Sequence, residues 1–226
     1  MPFLLDAAAQ LRYVAAAVLG TTNPLEITAV LTGIACVWLA ARSVIWNFPV
    51  AIVSCGLYVE VFREARLYSD MGLQLAFIGL AAYGWYTWLQ RRRAAGSTPG
   101  PHPEATTEVV ALPITRTPAW LWAVLTALGL AYALGAGYLL AHHSNAASPY
   151  YDSSTTAISL VAQYQLSRRK IENWLLWIGV DVVYVGLYWS RGLALTSLLY
   201  VVYLALATYG YWQWRQEQAS QAAQAA

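Results

Sequence analysis

Residues 42–91 can be laid on residues 168–217 without a gap, and fourteen of the fifty pairs are identical. Apolar matches alone would be cheap between hydrophobic helices. The matches Asn47/Asn173, Tyr58/Tyr184, Tyr83-Gly84/Tyr209-Gly210 and Trp88/Trp214 are not. A repeat of this length means that one folded unit occurs twice and that the copies pack on each other. Each copy is built of long apolar runs broken by short polar turns. Only 11% of the chain is charged and its mean hydropathy is +0.46, whereas a soluble domain averages about 25% charged residues. The chain therefore reads as an integral membrane protein, with the lipid bilayer as its solvent.

The expected fold is an all-α membrane protein with seven core transmembrane helices. Two parallel three-helix repeats are joined by a connector helix (3+1+3), and an N-terminal amphipathic or transmembrane helix precedes them. Residues 1–22 form that first helix; with no basic segment before its apolar run, a cleaved signal peptide is not expected. The first three-helix repeat covers 23–93, with helices at Leu25 to Ala41, from Trp46-Asn47-Phe48-Pro49 to about Phe62, and from about Ser69 to Leu89. Pro24 suits a first helical turn. Residues 94–118 hold five of the nine prolines and read as a linker, mobile in its first half. The connector, 119–143, is nearly all Ala, Leu, Gly, Trp and Tyr through Ala141, with His142 and His143 expected in the loop after it. The second repeat covers 149–217, with helices at about Ser153 to Leu166, within the stretch Arg168 to Arg191, and from Leu193 to Trp214. A Gln/Ala tail, 218–226, reads as disordered.

Counting spans fixes the relative topology. Three spans reverse the chain's side and the connector reverses it again, so the two triplets run parallel about an axis along the membrane normal. Nine basic residues (Arg42, Arg91, Arg92, Arg93, Arg116, Arg168, Arg169, Lys170 and Arg215) then fall on one side and three (Arg63, Arg66 and Arg191) on the other. The positive-inside tendency puts the carboxyl terminus in the cytoplasm.

Residues 168–191 carry the chemistry. Between Asn173 and Ser190 there is no Lys or Arg and one carboxylate, Asp181. At about 100° per residue, Asn173, Trp177, Asp181, Tyr184 and Tyr188 share one face of a helix. A carboxylate at membrane depth costs several kcal/mol unless it meets a partner or water. It either fixes helix packing or belongs to a binding face for a polar, aromatic solute. Asn47 matches Asn173 in the repeat, and Ser159 and Gln163 share a face of the preceding helix. Gln74 and Trp85 match Tyr200 and Tyr211, and Tyr203 lies between those two tyrosines. With 11 Trp and 16 Tyr the chain has more aromatic residues than interfacial belts require. An N-cap role for Asn47 and Asn173 stands beside the binding role. Trp88 and Trp214 read as belt residues, and Gly84 and Gly210 as points of close helix approach.

Several functions find no support. There is no HExxH, CxxC or P-loop pattern, and no nucleophile with a base, so an enzyme is not expected. No metal and no cofactor is expected. The basic residues form no amphipathic run, so nucleic acid is not an expected partner. Cys36 and Cys55 lie in apolar segments and read as core residues.

Ser167-Arg168-Arg169-Lys170-Ile171-Glu172-Asn173-Trp174, followed by Trp177-Ile178 and Asp181, resembles the signature of the PnuC nicotinamide riboside transporters. Trp46-Asn47-Phe48-Pro49 and the aromatic run at residues 83–88 fit it as well, and the resemblance covers about residues 24–215. It implies a SWEET-like fold, a homotrimer in the bacterial inner membrane, and facilitated diffusion of nicotinamide riboside with trapping by cytoplasmic phosphorylation. Related branches carry thiamine or riboflavin. The residue chemistry agrees: amides suit a carboxamide and ribose hydroxyls, and aromatic faces suit a cationic pyridinium. The competing expectation is a non-transporting receptor or assembly protein whose polar faces are packing seams. Solute uptake into empty proteoliposomes separates the two.

Overall fold

The computed structural model describes residues 24–64, 68–96, 113–143, 149–190 and 194–224. The expected helix at 1–22 and the first part of the linker, 97–112, lie outside them. Seven α-helices make up the described chain: α1 Pro24–Ala41, α2 Asn47–Glu64, α3 Tyr68–Gly96, α4 Ala119–His143, α5 Pro149–Ser167, α6 Asn173–Ser190 and α7 Ala194–Gln224. No strand occurs among the described residues; one isolated bridge joins Thr115 to Lys170. Six of the helices close a ring, in which α1 packs on α2, α2 on α3, α3 on α5, α5 on α6, α6 on α7, and α7 back on α1. The connector α4 lies outside the ring against α5. There Gly137 leaves room for the Tyr150 ring, and the Ser153 hydroxyl donates to the Ala133 carbonyl at 2.8 Å.

The exterior is apolar. By length and composition α4 is long and apolar enough to cross a membrane, while α1, α2 and α6 hold shorter apolar stretches, Ile27–Ala41, Asn47–Val61 and Asn173–Leu187. Leu128, Leu130 and Leu134 of α4, Leu31 of α1, Val53 of α2 and Val182 of α6 all stand exposed. A soluble chain would not leave so many large apolar side chains in water.

Local chemistry ends α1 and α5 in the same way. Ser43 and Arg169 are 126 positions apart, and both adopt the left-handed conformation, with φ of 58° and 51°. Behind them the Ser43 and Val44 amides donate to Ala40 and Leu39, and the Arg169 and Lys170 amides donate to Leu166 and Gln165. This is the Schellman arrangement, built here on non-glycine residues. Asn47 and Asn173 then start α2 and α6, their side-chain amides donating back to the Val44 and Lys170 carbonyls at 2.7 and 2.6 Å.

The two halves also share a wedge. Phe48 meets Trp88 edge-on at 4.9 Å, and Trp174 meets Trp214 edge-on at 5.5 Å. Trp88 and Trp214 are 4% and 0% exposed, so they are core residues and not the belt residues expected. Each indole N–H donates across the seam to a backbone carbonyl of the other half, Trp88 to Ser167 at 3.2 Å and Trp214 to Ala40 at 3.1 Å. Gly84 and Gly210 make room for the Phe48 and Trp174 rings. A Cβ on Gly210 would lie 2.7 Å from Trp174, which is held on its other side by Trp214. Gly210→Ala is therefore expected to destabilise the protein by about 1–3 kcal/mol, the usual cost of overpacking. Thermal unfolding in detergent checks this against Gly56→Ala, where nothing lies within 4 Å of the added methyl.

Other expectations are corrected. The 218–226 tail is not disordered through its length: α7 continues to Gln224. Its Ala and Gln are good helix formers, and Gln218 and Gln221 clamp the backbone of Ile114, at 3.1 and 3.0 Å. The end of the linker is a docked strap. The Thr115 amide donates to Arg169, the Ile171 amide donates to Thr115, and Glu172 accepts from both the amide and the hydroxyl of Thr117. Helix α3 runs to Gly96, beyond its arginines. His142 and His143 form the last turn of α4 and not a loop, with His142 Nδ1 2.8 Å from the Tyr138 carbonyl.

Candidate functional site

Asp181 lies midway along α6 and is 5% exposed. No Lys or Arg lies between residues 173 and 190 to balance it. Tyr203 of α7 stands near it, and the electrostatic neighbours of Tyr203 are Tyr58, Cys36, Asp181 and Cys55. The hydroxyl of Tyr203 fits over α1 because Gly33 has no side chain; a Cβ there would lie 2.9 Å from that oxygen and 3.4 Å from Ser54 Oγ. Ser54 is buried and donates to the Ala29 carbonyl at 3.0 Å. Four helices, α1, α2, α6 and α7, thus bring Asp181, Tyr58, Cys36 and Cys55 within electrostatic reach of Tyr203, with Ser54 close to the same point of α1.

An aromatic run leads from this centre. The Tyr200 ring lies 6.0 Å from Tyr203 and 4.7 Å from Tyr184, whose hydroxyl donates to Thr155 Oγ1 at 3.0 Å. Trp177 is half-buried, packed on one side against the Trp174–Trp214 cluster and facing Phe77 of α3 at 6.3 Å. Tyr211 packs against the same cluster. Ser159 is buried on α5, Gln163 is half-buried one turn further on, and Gln74 is half-buried on α3.

The structure does not gather every expected residue. The amide nitrogens of Asn47 and Asn173 are spent on their own loops, although Asn173 Oδ1 is buried with no protein partner. Trp85 is 38% exposed and faces outward, into a groove of about 260 Å³ with Ile45, Trp46, Pro49 and Leu89. Cys36, Cys55 and Gly33, unremarkable in the sequence, lie close to Tyr203. In the sequence, Cys55 pairs with Asp181 in the repeat, and the same shift of 126 positions carried beyond it sets Gly33 against Ser159. Gln165 of α5 is wholly buried, and neither of its amide atoms has a protein partner. Among the described residues no group of three His, Cys, Asp or Glu is placed to hold a metal ion.

A second polar constellation lies at the end of the bundle where α1 and α5 finish. Arg169 is 1% exposed. Its guanidinium carbon sits 5.1 Å from the Trp88 ring centre and 5.2 Å from that of Trp214. Its Nη2 donates to Ser43 Oγ at 2.6 Å and to Glu217 Oε1 at 2.7 Å, and Ser43 Oγ donates to Glu217 Oε2 at 2.7 Å. Burial pushes the Arg169 pKa down and the Glu217 carboxylate pushes it back up; guanidinium stays protonated in such a setting.

The fold and these residues have known relatives. A family model described as "Nicotinamide mononucleotide transporter" matches residues 23–216. The chain is 25% identical over 209 residues to a nicotinamide riboside transporter PnuC of Escherichia coli, covering 84% of each protein. It is 31% identical over 211 residues to a PnuC of Neisseria mucosa, covering 88% of this chain and 75% of that one. It is 29% identical over 188 residues to the riboflavin/roseoflavin transporter RibM of Streptomyces davaonensis, covering 81% of each. A crystal structure of the vitamin B3 transporter PnuC superposes with a TM-score of 0.68 at 25% identity, covering 94% of this chain and 90% of that one. The chain belongs to the nicotinamide mononucleotide transporter family, whose members are multi-pass membrane transporters and not enzymes.

Proposed function

We propose that this chain carries nicotinamide riboside into the cell by facilitated diffusion, with cytoplasmic phosphorylation trapping the product. The observation that carries the reading is the polar centre at Asp181 and Tyr203, on two of the six helices that close the ring. The carboxylate balances the cationic pyridinium or binds ribose hydroxyls, and the run through Tyr203, Tyr200 and Tyr184, with Trp177, offers faces for the ring. In this reading Ser159, Gln163 and Gln74 supply hydrogen bonds to the carboxamide and the sugar. The two halves, matched at Ser43/Arg169, Asn47/Asn173 and Trp88/Trp214, act as parallel repeats in the bacterial inner membrane. The excess of basic residues at one end puts the carboxyl terminus in the cytoplasm. The working unit in this proposal is a homotrimer, as the resemblance implies.

The direct test is uptake of labelled nicotinamide riboside into proteoliposomes that hold only this protein. Saturable uptake is expected, and none at all would remove the reading. The relation to RibM favours a second solute, riboflavin, which the same vesicles distinguish by competition. Uptake is also expected to need no ion gradient. A coupled symporter requires a dedicated ion or proton site at depth, and Asp181 is the one carboxylate midway along a span, since Glu26, Glu60, Asp70 and Asp152 lie near helix ends. Imposed proton or sodium gradients should leave the plateau at the outside concentration. Gradient-driven accumulation above that plateau, without a kinase, would show coupling.

A further inference from the structure

Ser43 belongs to the first half of the chain, while Arg169 and Glu217 belong to the second. The two Ser43 contacts therefore cross the seam between halves, as does the stacking of the Arg169 guanidinium on Trp88, while the Arg169–Glu217 pair and the stacking on Trp214 lie within the second half. Hydrogen bonds from Trp88 to Ser167, from Ser167 to Leu80, from Arg168 to Tyr83 and from Trp214 to Ala40 cross the seam at the same end. The strap at residues 114–117 lies over the loop that holds Arg169. The halves are thus stapled at the end where α1 and α5 stop. Its central residues, Ser43 and Arg169, hold a backbone conformation that L residues avoid, and they occupy equivalent places in the two halves.

A solute that leaves a central site between two halves must part them at one end while the other stays closed. We propose that Arg169, Ser43 and Glu217 form the gate on the carboxyl-terminal side of the pathway, and that this clasp must break in each transport cycle. Glu217 lies one residue beyond the stretch that the family model matches, residues 23–216. The parts are suited to opening and closing. The bonds are polar and short, so they reform with defined geometry. The tryptophans give the cation a second attraction that survives small movements, because cation–π attraction tolerates displacement over the ring face.

This inference rests on the transport reading, and its test separates the two. The double variant Ser43→Cys/Glu217→Cys is purified, reconstituted and joined with a short bis-methanethiosulfonate that dithiothreitol removes. Peptide mapping identifies the 43–217 link, and each single variant receives the same reagent as a control. Riboside uptake is expected to fall at least tenfold on cross-linking and to return on reduction, with binding affinity unchanged within threefold. A cross-linked protein that transports as fast as before would overturn the gate, because a fixed clasp would then be harmless. Loss of binding together with uptake, unrestored by reduction, would assign these residues to holding the fold and would overturn it too. An uncross-linked protein that binds no riboside counts against the transport reading itself.

Glu217→Gln supplies a second measurement without a cross-link. It keeps the shape and removes the charge that accepts from Ser43 across the seam and holds Arg169 in place. Alkylation of the native Cys36 and Cys55 by an impermeant maleimide is expected to run at least fivefold faster from the clasp side, and unchanged from the other side. Equal acceleration from both sides would indicate a loosened fold, and no acceleration would mean that the clasp holds nothing shut; either result overturns the proposal.

Discussion

Replacing Trp177 by alanine is expected to weaken riboside binding about 5- to 150-fold, the loss of one aromatic stacking contact worth roughly 1–3 kcal/mol. Trp177 shares its face of α6 with Asp181, one turn away. It is half-buried, and its ring meets Phe77 of α3 across the seam. An indole in that position has one side fixed by the core cluster and an edge toward the opposite half. Its neighbours Trp174 and Trp214 form the buried wedge of that cluster, so the fold does not depend on Trp177 alone. Titration calorimetry on the purified variant gives the affinity, and its unfolding midpoint shows whether the fold has suffered. Trp177→Phe keeps a ring and should retain affinity within a few-fold. Equal binding by the alanine variant, with a normal midpoint, would remove Trp177 from the site.

The helices were legible because apolar runs with polar breaks dictate them: α2 opens within Trp46-Asn47-Phe48-Pro49, and α6 lies inside the stretch Arg168 to Arg191, trimmed to Asn173–Ser190 by the loop that holds Arg169. What the pattern could not supply was the third dimension. Trp88 and Trp214 near basic helix ends look like interfacial anchors by composition. Only the packing shows that each crosses the seam and finds a carbonyl of the other half. The tail looked disordered because Gln and Ala carry no apolar pattern. Its order comes from Ile114 and Arg169, more than 45 residues away in sequence, which no local reading reaches.

The site was legible in part for the same reason. Asp181 was found from its charge, since a lone carboxylate in an apolar run is conspicuous. Tyr203 was found as one of several tyrosines. Cys36, Cys55 and Gly33 were passed over because thiols and glycines are ordinary in membrane helices, although the repeat sets Cys55 opposite Asp181. Trp85 was grouped with Tyr211 by that same repeat, yet it faces the outer groove while Tyr211 packs on the core. Matched positions share a backbone place and not always a role. Trp85 shares its groove with the start of α2 at Pro49 and the loop before it, whereas Tyr211 packs on the core cluster that holds Trp174 and Trp214.

The phosphorylated nucleotide is expected to bind at least a hundredfold more weakly than the riboside. The family description names the mononucleotide, while the PnuC relatives from Escherichia coli and Neisseria mucosa are named for the riboside. The residues decide between them for this chain. No Lys or Arg occurs in residues 25–41, 47–62, 69–90, 119–141, 149–167, 173–190 or 194–214. A phosphate with up to about two negative charges would enter these spans uncompensated, and burying even one unpaired charge costs several kcal/mol. Asp181 would repel it further. About 2.8 kcal/mol already gives a hundredfold difference. The arginines nearest the ring are engaged elsewhere: Arg42 lies exposed over the Trp38 ring at 4.9 Å, Arg168 donates to the Tyr83 hydroxyl at 3.0 Å, and Arg169 is neutralised by Glu217. Displacement calorimetry, with mononucleotide added to protein already holding riboside, measures the ratio directly. Displacement at similar concentrations would mean that a basic group reaches the phosphate. Repeating the titration with Arg42→Gln, Arg168→Gln and Arg169→Gln would then identify it as the one whose loss restores the hundredfold preference.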